Sequence, residues 1–190
     1  MTVVSPLTPE VFQGAYELAA EWLGQSGADA LADDYAAHAE LALALHLDGR
    51  LVGLAFGHPF SEDQATLEGI AVRGEHTAHG LGSLLLGQFE DAARKAGYRR
   101  VGLGSAGGYV ERFYCKNGYE QTEYMVLVPD GERKRLDLDG LSVVRRRHWE
   151  PDLLVLNVAA PDGYSPKVKA ALAERLGATE VCCIFQKSLA

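Results

Sequence analysis

Apolar positions recur along this chain at two spacings, and the switches between them mark its elements. Thr8-Pro9-Glu10 reads as a helix cap with proline in the first turn, and Val11, Ala15, Leu18 and Leu23 supply an apolar stripe behind it. A second helix is predicted over about 27–39. From Leu41 to Gly57 two apolar runs flank Asp48-Gly49, a pair that favours the tight turn of a hairpin. Another strand is predicted over about 66–72. After a polar turn, Leu81, Leu85, Phe89, Ala92 and Ala96 fall at helical spacing, with Gly97 where the helix would stop. A strand over about 99–105, a short helix over about 109–116 ending near Asn117-Gly118, and a long strand over about 119–128 complete this part.

Beyond Val128 the pattern changes. Pro129 to Arg135 reads as a turn followed by a charged linker. The apolar run Leu153 to Val158, a helical stretch over about 165–176, Gly177, and the apolar run Val181 to Phe185 make a strand-helix-strand extension. The expected organisation is a domain over residues 1–128 and an extension over 129–190. A piece that small buries little core alone, so it is expected to pack on the domain or on a second subunit, as in a homodimer.

Composition narrows the partners. The chain has 190 residues, 47% of them apolar, enough for one well-packed domain. Its 18 Lys and Arg against 26 Asp and Glu give a net charge of −8. That argues against nucleic acid, whose phosphates need a surplus of basic side chains. The charge is uneven: residues 1–72 hold eleven acids against Arg50 alone, −10, while the remainder holds 15 acids and 17 bases, +2. Such asymmetry marks either the place of a cationic partner or acidic helix faces in solvent. Cys115, Cys182 and Cys183 lack metal-ligand spacing and read as reduced thiols of a cytoplasmic protein without a metal. No apolar run nears the roughly 20 residues of a membrane span, and no signal-peptide pattern opens the chain, so a soluble protein with no membrane partner is expected.

The chemistry concentrates in two stretches. Leu67-Glu68-Gly69-Ile70-Ala71-Val72 is followed, seven residues on, by Gly80-Leu81-Gly82-Ser83. Glycines that open a helix after a strand let the backbone approach an anion and aim unpaired N–H groups at it, which suits a pyrophosphate; tight strand-to-helix packing is the alternative. A P-loop is excluded because Gly82 is not followed by Lys-Ser or Lys-Thr, and a dinucleotide fingerprint because Leu85 is not Gly. The second stretch, Phe113-Tyr114-Cys115-Lys116-Asn117-Gly118-Tyr119, places a Tyr in a short helix, then a Gly, then an aromatic opening a strand.

Together, in this order, these motifs resemble the GNAT superfamily of acyl-CoA-dependent N-acyltransferases. In that family a strand ending in Val leads through an Arg/Gln-x-x-Gly-x-Gly/Ala turn into the helix that holds the CoA pyrophosphate. Here the turn is Thr77-Ala78-His79-Gly80-Leu81-Gly82, and Phe113-Tyr114 with Gly118-Tyr119 matches the downstream pattern. The hairpin through Asp48-Gly49 looks like the family's second and third strands, and the resemblance covers about residues 3–128. It implies an α/β fold: a mixed, mostly antiparallel sheet flanked by helices, here with the C-terminal extension. Two positions depart from the pattern. Thr77 stands where Arg or Gln is usual, with His76 and His79 nearby, and Gly107 stands where an Asn often contacts the pantetheine arm, with Val110 at the small position three residues on.

The resemblance implies an acetyl-CoA-dependent N-acetyltransferase in which a primary amine, expected to be small and cationic, attacks the thioester directly in a ternary complex. An alkyl amine titrates near the ~10.4 of Lys and arrives protonated, so a base is needed. Glu68, within a Leu-Glu-Gly-Ile run similar to that of aminoglycoside 6′-acetyltransferases, is the implied base. Tyr114 is the implied acid toward the departing thiolate. Ile70, Ala71 and Val72 are expected to pair with the pantetheine amides as an added strand would, and Thr77, Ala78, His79, Gly80, Leu81, Gly82 and Ser83 to surround the pyrophosphate. A weakly catalytic acyl-CoA-binding or regulatory module is the alternative that Thr77 and Gly107 motivate. Arg145-Arg146-Arg147 reads as a solvated charge run, and Trp22, Tyr35, His38 and His46 as core or acceptor-pocket residues.

Overall fold

The computed structural model describes residues 1–76, 79–105, 107–129, 131, 136–150 and 152–189. They form two compact units, Met1–Gly102 with Ser188–Ala190, and Leu103–Lys187.

In the first unit, strand β1 (Thr2–Pro6) leads into helix α1 (Pro9–Ala37), which Gly24 interrupts at φ 79°, so the two predicted helices form one broken run. Strands β2 (Leu43–Leu47) and β3 (Arg50–Ser61) make the hairpin, with Asp48 at φ 50° and Gly49 at φ 79°, the left-handed pair such a turn requires. Strand β4 (Gln64–Val72), helix α2 (Leu81–Lys95) and strand β5 (Arg100–Ser105) follow, β5 crossing the division at Gly102. The strand order is β1-β2-β3-β4-β5, antiparallel except for the parallel β4–β5 pair. Ala15, Leu18, Ala28 and Leu31 of α1 bury against Leu54 and Phe56 of β3 and Ala71 of β4. α2 buries Leu85, Leu86, Phe89 and Ala93.

One close approach fixes the seat of α2. A Cβ on Gly57 would lie 1.9 Å from the Thr66 carbonyl oxygen and 3.1 Å from Phe89 Cζ. Gly57→Ala is expected to lower stability by about 2–3 kcal/mol, or roughly 5–10 °C in Tm, measured by thermal unfolding.

In the second unit, helix α3 (Gly108–Lys116) precedes strand β6 (Glu120–Pro129), then come strands β7 (Val143–Glu150) and β8 (Leu153–Ala159), helix α4 (Pro166–Leu176) and strand β9 (Glu180–Ser188). The order is β9-β6-β8-β7, antiparallel throughout. The extension thus has one strand more than its apolar pattern predicts. Arg145, Arg146 and Arg147 lie in β7, an edge strand exposed on both faces from Val144 to Trp149, so it carries no apolar alternation to read. Of the linker predicted over 129–135, residues 130 and 132–135 lie outside the described residues. β6 is flanked on both sides by the extension, by β8 through Glu123–Pro129 and by β9 through Glu120–Leu127.

Candidate active site

In the first unit the site is built on β4. Phe56 pairs with Gly69 and Gly57 with Leu67, so Glu68 is an extra residue with no partner on β3: a β-bulge. The Glu68 side chain is exposed. Gly69 beside it is obligatory, since a Cβ there would lie 2.4 Å from Phe56 Cε1 and 2.8 Å from Leu23 Cδ1. After the bulge, Ile70, Ala71 and Val72 pair regularly with Ala55, Leu54 and Gly53.

The opposite edge of β4 behaves differently. Its pairing with β5 runs only from Gln64↔Arg100 to Thr66↔Gly102, so from Leu67 to Val72 that edge has no ladder partner among the described residues. Unpaired strand edges accept an added extended chain through its amides.

The chain then turns. Arg73 N–H bonds the Val52 carbonyl at 2.8 Å, a tight turn covers Gly74–His76, and Trp22 lays its ring over Gly74, where a Cβ would lie 2.7 Å from Trp22 Cη2. Thr77 and Ala78 lie outside the described residues, and His79 is exposed. Gly80, at φ 77°, swings the chain into α2, and no side chain caps that helix. Its first turn, Leu81, Gly82 and Ser83, holds no acidic residue, and the first N–H groups of any helix lack intrahelical partners. A helix start of this kind attracts an anion through both its donors and its dipole.

The acidic surface of α1 is only partly neutralised. Glu21 meets Arg73 Nη1 at 3.1 Å, and Asp34 meets His58 Nδ1 at 3.2 Å. Asp29 instead accepts from two neutral donors, Tyr16 Oη at 2.9 Å and Gln25 Nε2 at 2.7 Å. Arg73, the first base after the acidic segment, escaped the motif reading; its place as that first cation is the signal that marks it. Tyr35 stacks on Phe12 with ring centres 5.0 Å apart, Trp22 is 45% exposed, His38 follows α1, and His46 pairs with Leu51 across the hairpin. A cavity of about 410 Å³ opens between Arg50, Leu51, Val52, Arg73 and His76, and neither Glu68 nor Gly80–Ser83 lines it.

In the second unit, Tyr114 is buried on α3. Gly118, at φ 84°, turns the chain back so that Tyr119 N–H bonds the Tyr114 carbonyl at 3.1 Å, and the two rings pack edge to face at 5.8 Å. Phe185 of β9 closes the other side at 5.9 Å. The Gly-aromatic pair downstream of the Tyr is therefore a device that seats the Tyr ring. Gly107, ahead of α3, offers no capping side chain. All three cysteines are free, and burial pushes each thiol up, Cys182 and Cys183 to about 12, so none is poised as a thiolate nucleophile. Among the described residues no cluster of metal-ligating side chains occurs, and no helix is long and apolar enough to cross a membrane.

Bulged strand, glycine turn and uncapped helix belong to one family. The model of the acetyltransferase (GNAT) family matches residues 9–119, more than half of the chain, and the chain belongs to that family: it is an acyl-CoA-dependent N-acetyltransferase that draws its acyl group from acetyl-CoA. Among solved structures, it is similar to the ribosomal-protein-S18-alanine N-acetyltransferase of Escherichia coli, at 19% identity and TM-score 0.59 over 100% of this chain and 95% of that one. It is similar to aminoglycoside 6′-acetyltransferase type Ii at 14% identity and TM-score 0.60, over 99% and 97%. A GNAT acetyltransferase of Elizabethkingia anophelis with acetyl-CoA bound matches at 16% identity and TM-score 0.52, over 84% and 98%. These likenesses establish the fold. No curated protein sequence matches the chain.

Proposed function

We propose that the chain acetylates a primary amine of a small cationic acceptor by direct attack on acetyl-CoA in a ternary complex. The observation that carries this reading is the continuity of the unpaired β4 edge, Leu67 to Val72, with the uncapped start of α2. Backbone groups of Ile70, Ala71 and Val72 pair with the pantetheine amides, and the turn from Thr77 to Ser83 takes the pyrophosphate. Glu68, exposed at the bulge, accepts the proton that the acceptor ammonium must lose. The amine nitrogen then bonds to the acetyl carbon and gives up its second proton to solvent, the carbon–sulfur bond breaks, and the thiolate takes the Tyr114 phenolic proton; solvent returns a proton to Tyr114 and removes one from Glu68.

The cationic acceptor rests on charge. Residues 1–72 carry a formal −10, and the hydrogen-bond donors to Asp29 on α1 are neutral groups, Tyr16 and Gln25. One of the similar structures is named for aminoglycosides, which are polycations, and another for an alanine of ribosomal protein S18. The test is calorimetric titration with CoA together with acetyl transfer to spermidine, kanamycin, an N-terminal peptide, glutamate and a neutral amine. The polycations are expected to lead in kcat/KM by about tenfold or more at low salt and to lose that lead as salt rises. Leading anionic or neutral amines would remove the charge argument. CoA binding with no transfer to any amine would favour a binding module, the reading that Gly107 supports by leaving the start of α3 without a polar side chain.

A further inference from the structure

Beneath α3 the second unit buries a charge that acetyl transfer does not use. Glu111 is fully buried, one turn before Tyr114 on the same helix face. Its Oε1 accepts from Lys169 Nζ of α4 at 2.6 Å, and the Lys169 side chain is only 18% exposed. Burial first, and the charge of Glu111 next, push the Tyr164 phenol and the Cys183 thiol up to about 12. Tyr164 packs on Phe185 at 6.3 Å, and Phe185 packs on Tyr114 at 5.9 Å. A closed circuit results: Tyr114, Phe185, Tyr164, Glu111, and back along one helical turn to Tyr114.

Helix α3 needs such an anchor. Nine residues are too few to hold a helix alone, and its start lacks a side-chain cap. An apolar pair would anchor it equally well in energy, since a buried ion pair repays its desolvation only with good geometry. What an ion pair adds is direction, one ammonium meeting one carboxylate oxygen.

We infer that Glu111 and Lys169 are positioning residues for acetyl transfer, the extension's α4 fixing the rotation of α3 and with it the aim of the Tyr114 hydroxyl. This rests on the reading of Tyr114 as the acid.

Two measurements test it. In protein labelled with ¹³Cζ-tyrosine, eight tyrosines give resolvable signals, and the Tyr114 signal is assigned by its loss in Tyr114→Phe. That signal is expected to shift or broaden in Lys169→Met and to keep its place in Lys169→Arg. In the second measurement, with acetyl-CoA and the best amine of the panel, Lys169→Met lowers kcat about tenfold with the acetyl-CoA KM within about twofold, because misaiming costs rate rather than donor binding. In a Tyr114→Phe background the same change costs less than about twofold.

The double variant Glu111→Leu/Lys169→Met removes the charge without stranding it, so it separates aim from folding: a native-like Tm with the same kcat loss supports the inference. An unmoved Tyr114 signal, an unchanged kcat, or the same tenfold loss in both backgrounds would overturn it. If Tyr114→Phe itself leaves kcat unchanged, the acid reading fails first, and the tyrosine signal still decides whether Lys169 holds the ring.

Discussion

With Tyr114 replaced by Phe, kcat for acetyl transfer is expected to fall about a hundredfold while CoA affinity stays within about twofold. The substitution removes one hydroxyl and keeps the ring that packs against Tyr119 and Phe185. Loss of a single hydrogen-bonding group alters stability by only about 1 kcal/mol, so the variant folds. The proposed donor binding uses backbone groups of Ile70 to Val72 and of the start of α2, which a side-chain substitution at Tyr114 leaves chemically unchanged. What remains is the leaving group. A thiol titrates near 8.5 and a phenol near 10 in water, so a tyrosine hydroxyl is able to donate as negative charge builds on sulfur. Calorimetry with CoA and steady-state kinetics with acetyl-CoA read the two quantities separately. An equal loss in both would assign Tyr114 to packing.

The parts of this site that were legible in the sequence are those whose cause is local. Gly80 was readable because the chain must take a left-handed turn there to enter α2, and Gly118-Tyr119 because the ring of Tyr119 folds back over Tyr114 five residues upstream. Asp48-Gly49 declared its turn for the same reason. The bulge at Glu68 was half legible: a glycine inside a strand, as Gly69 is, often accompanies a bulge, but only the register against β3 reveals which residue is extra. Non-local arrangements left no mark. Glu111 and Lys169 stand 58 residues apart, and nothing near Glu111 distinguishes it from a solvated helix acid. β7 hid because an edge strand with both faces exposed has no reason to alternate. The pairing of β9 with β6 joins the last strand to one that precedes the extension, which no pattern within either strand announces.

That pairing sets the second large expectation: a chain ended after Val128 yields no folded protein. The domain expected over 1–128 would retain every residue matched to the family, so its motifs alone favour survival. The ladder says otherwise. Truncation strips β8 and β9 from the two sides of β6 and leaves both of its edges unpaired. It also uncovers Tyr124, Val126 and Val128, each at most 2% exposed in the full chain, and each such side chain is worth about 1.5–3 kcal/mol in burial. Their combined loss is comparable with the roughly 5–15 kcal/mol that holds a whole domain together. Leu189 adds a tie in the first unit, its N–H bonding the Arg99 carbonyl at 2.8 Å and its carbonyl accepting from Arg94 Nε at 3.0 Å. Circular dichroism of the shortened chain is expected to show no cooperative thermal transition, and calorimetry no CoA binding. A folded fragment that binds CoA as the full chain does would mean that β6 finds other partners, and the extension would then be free to serve a second subunit.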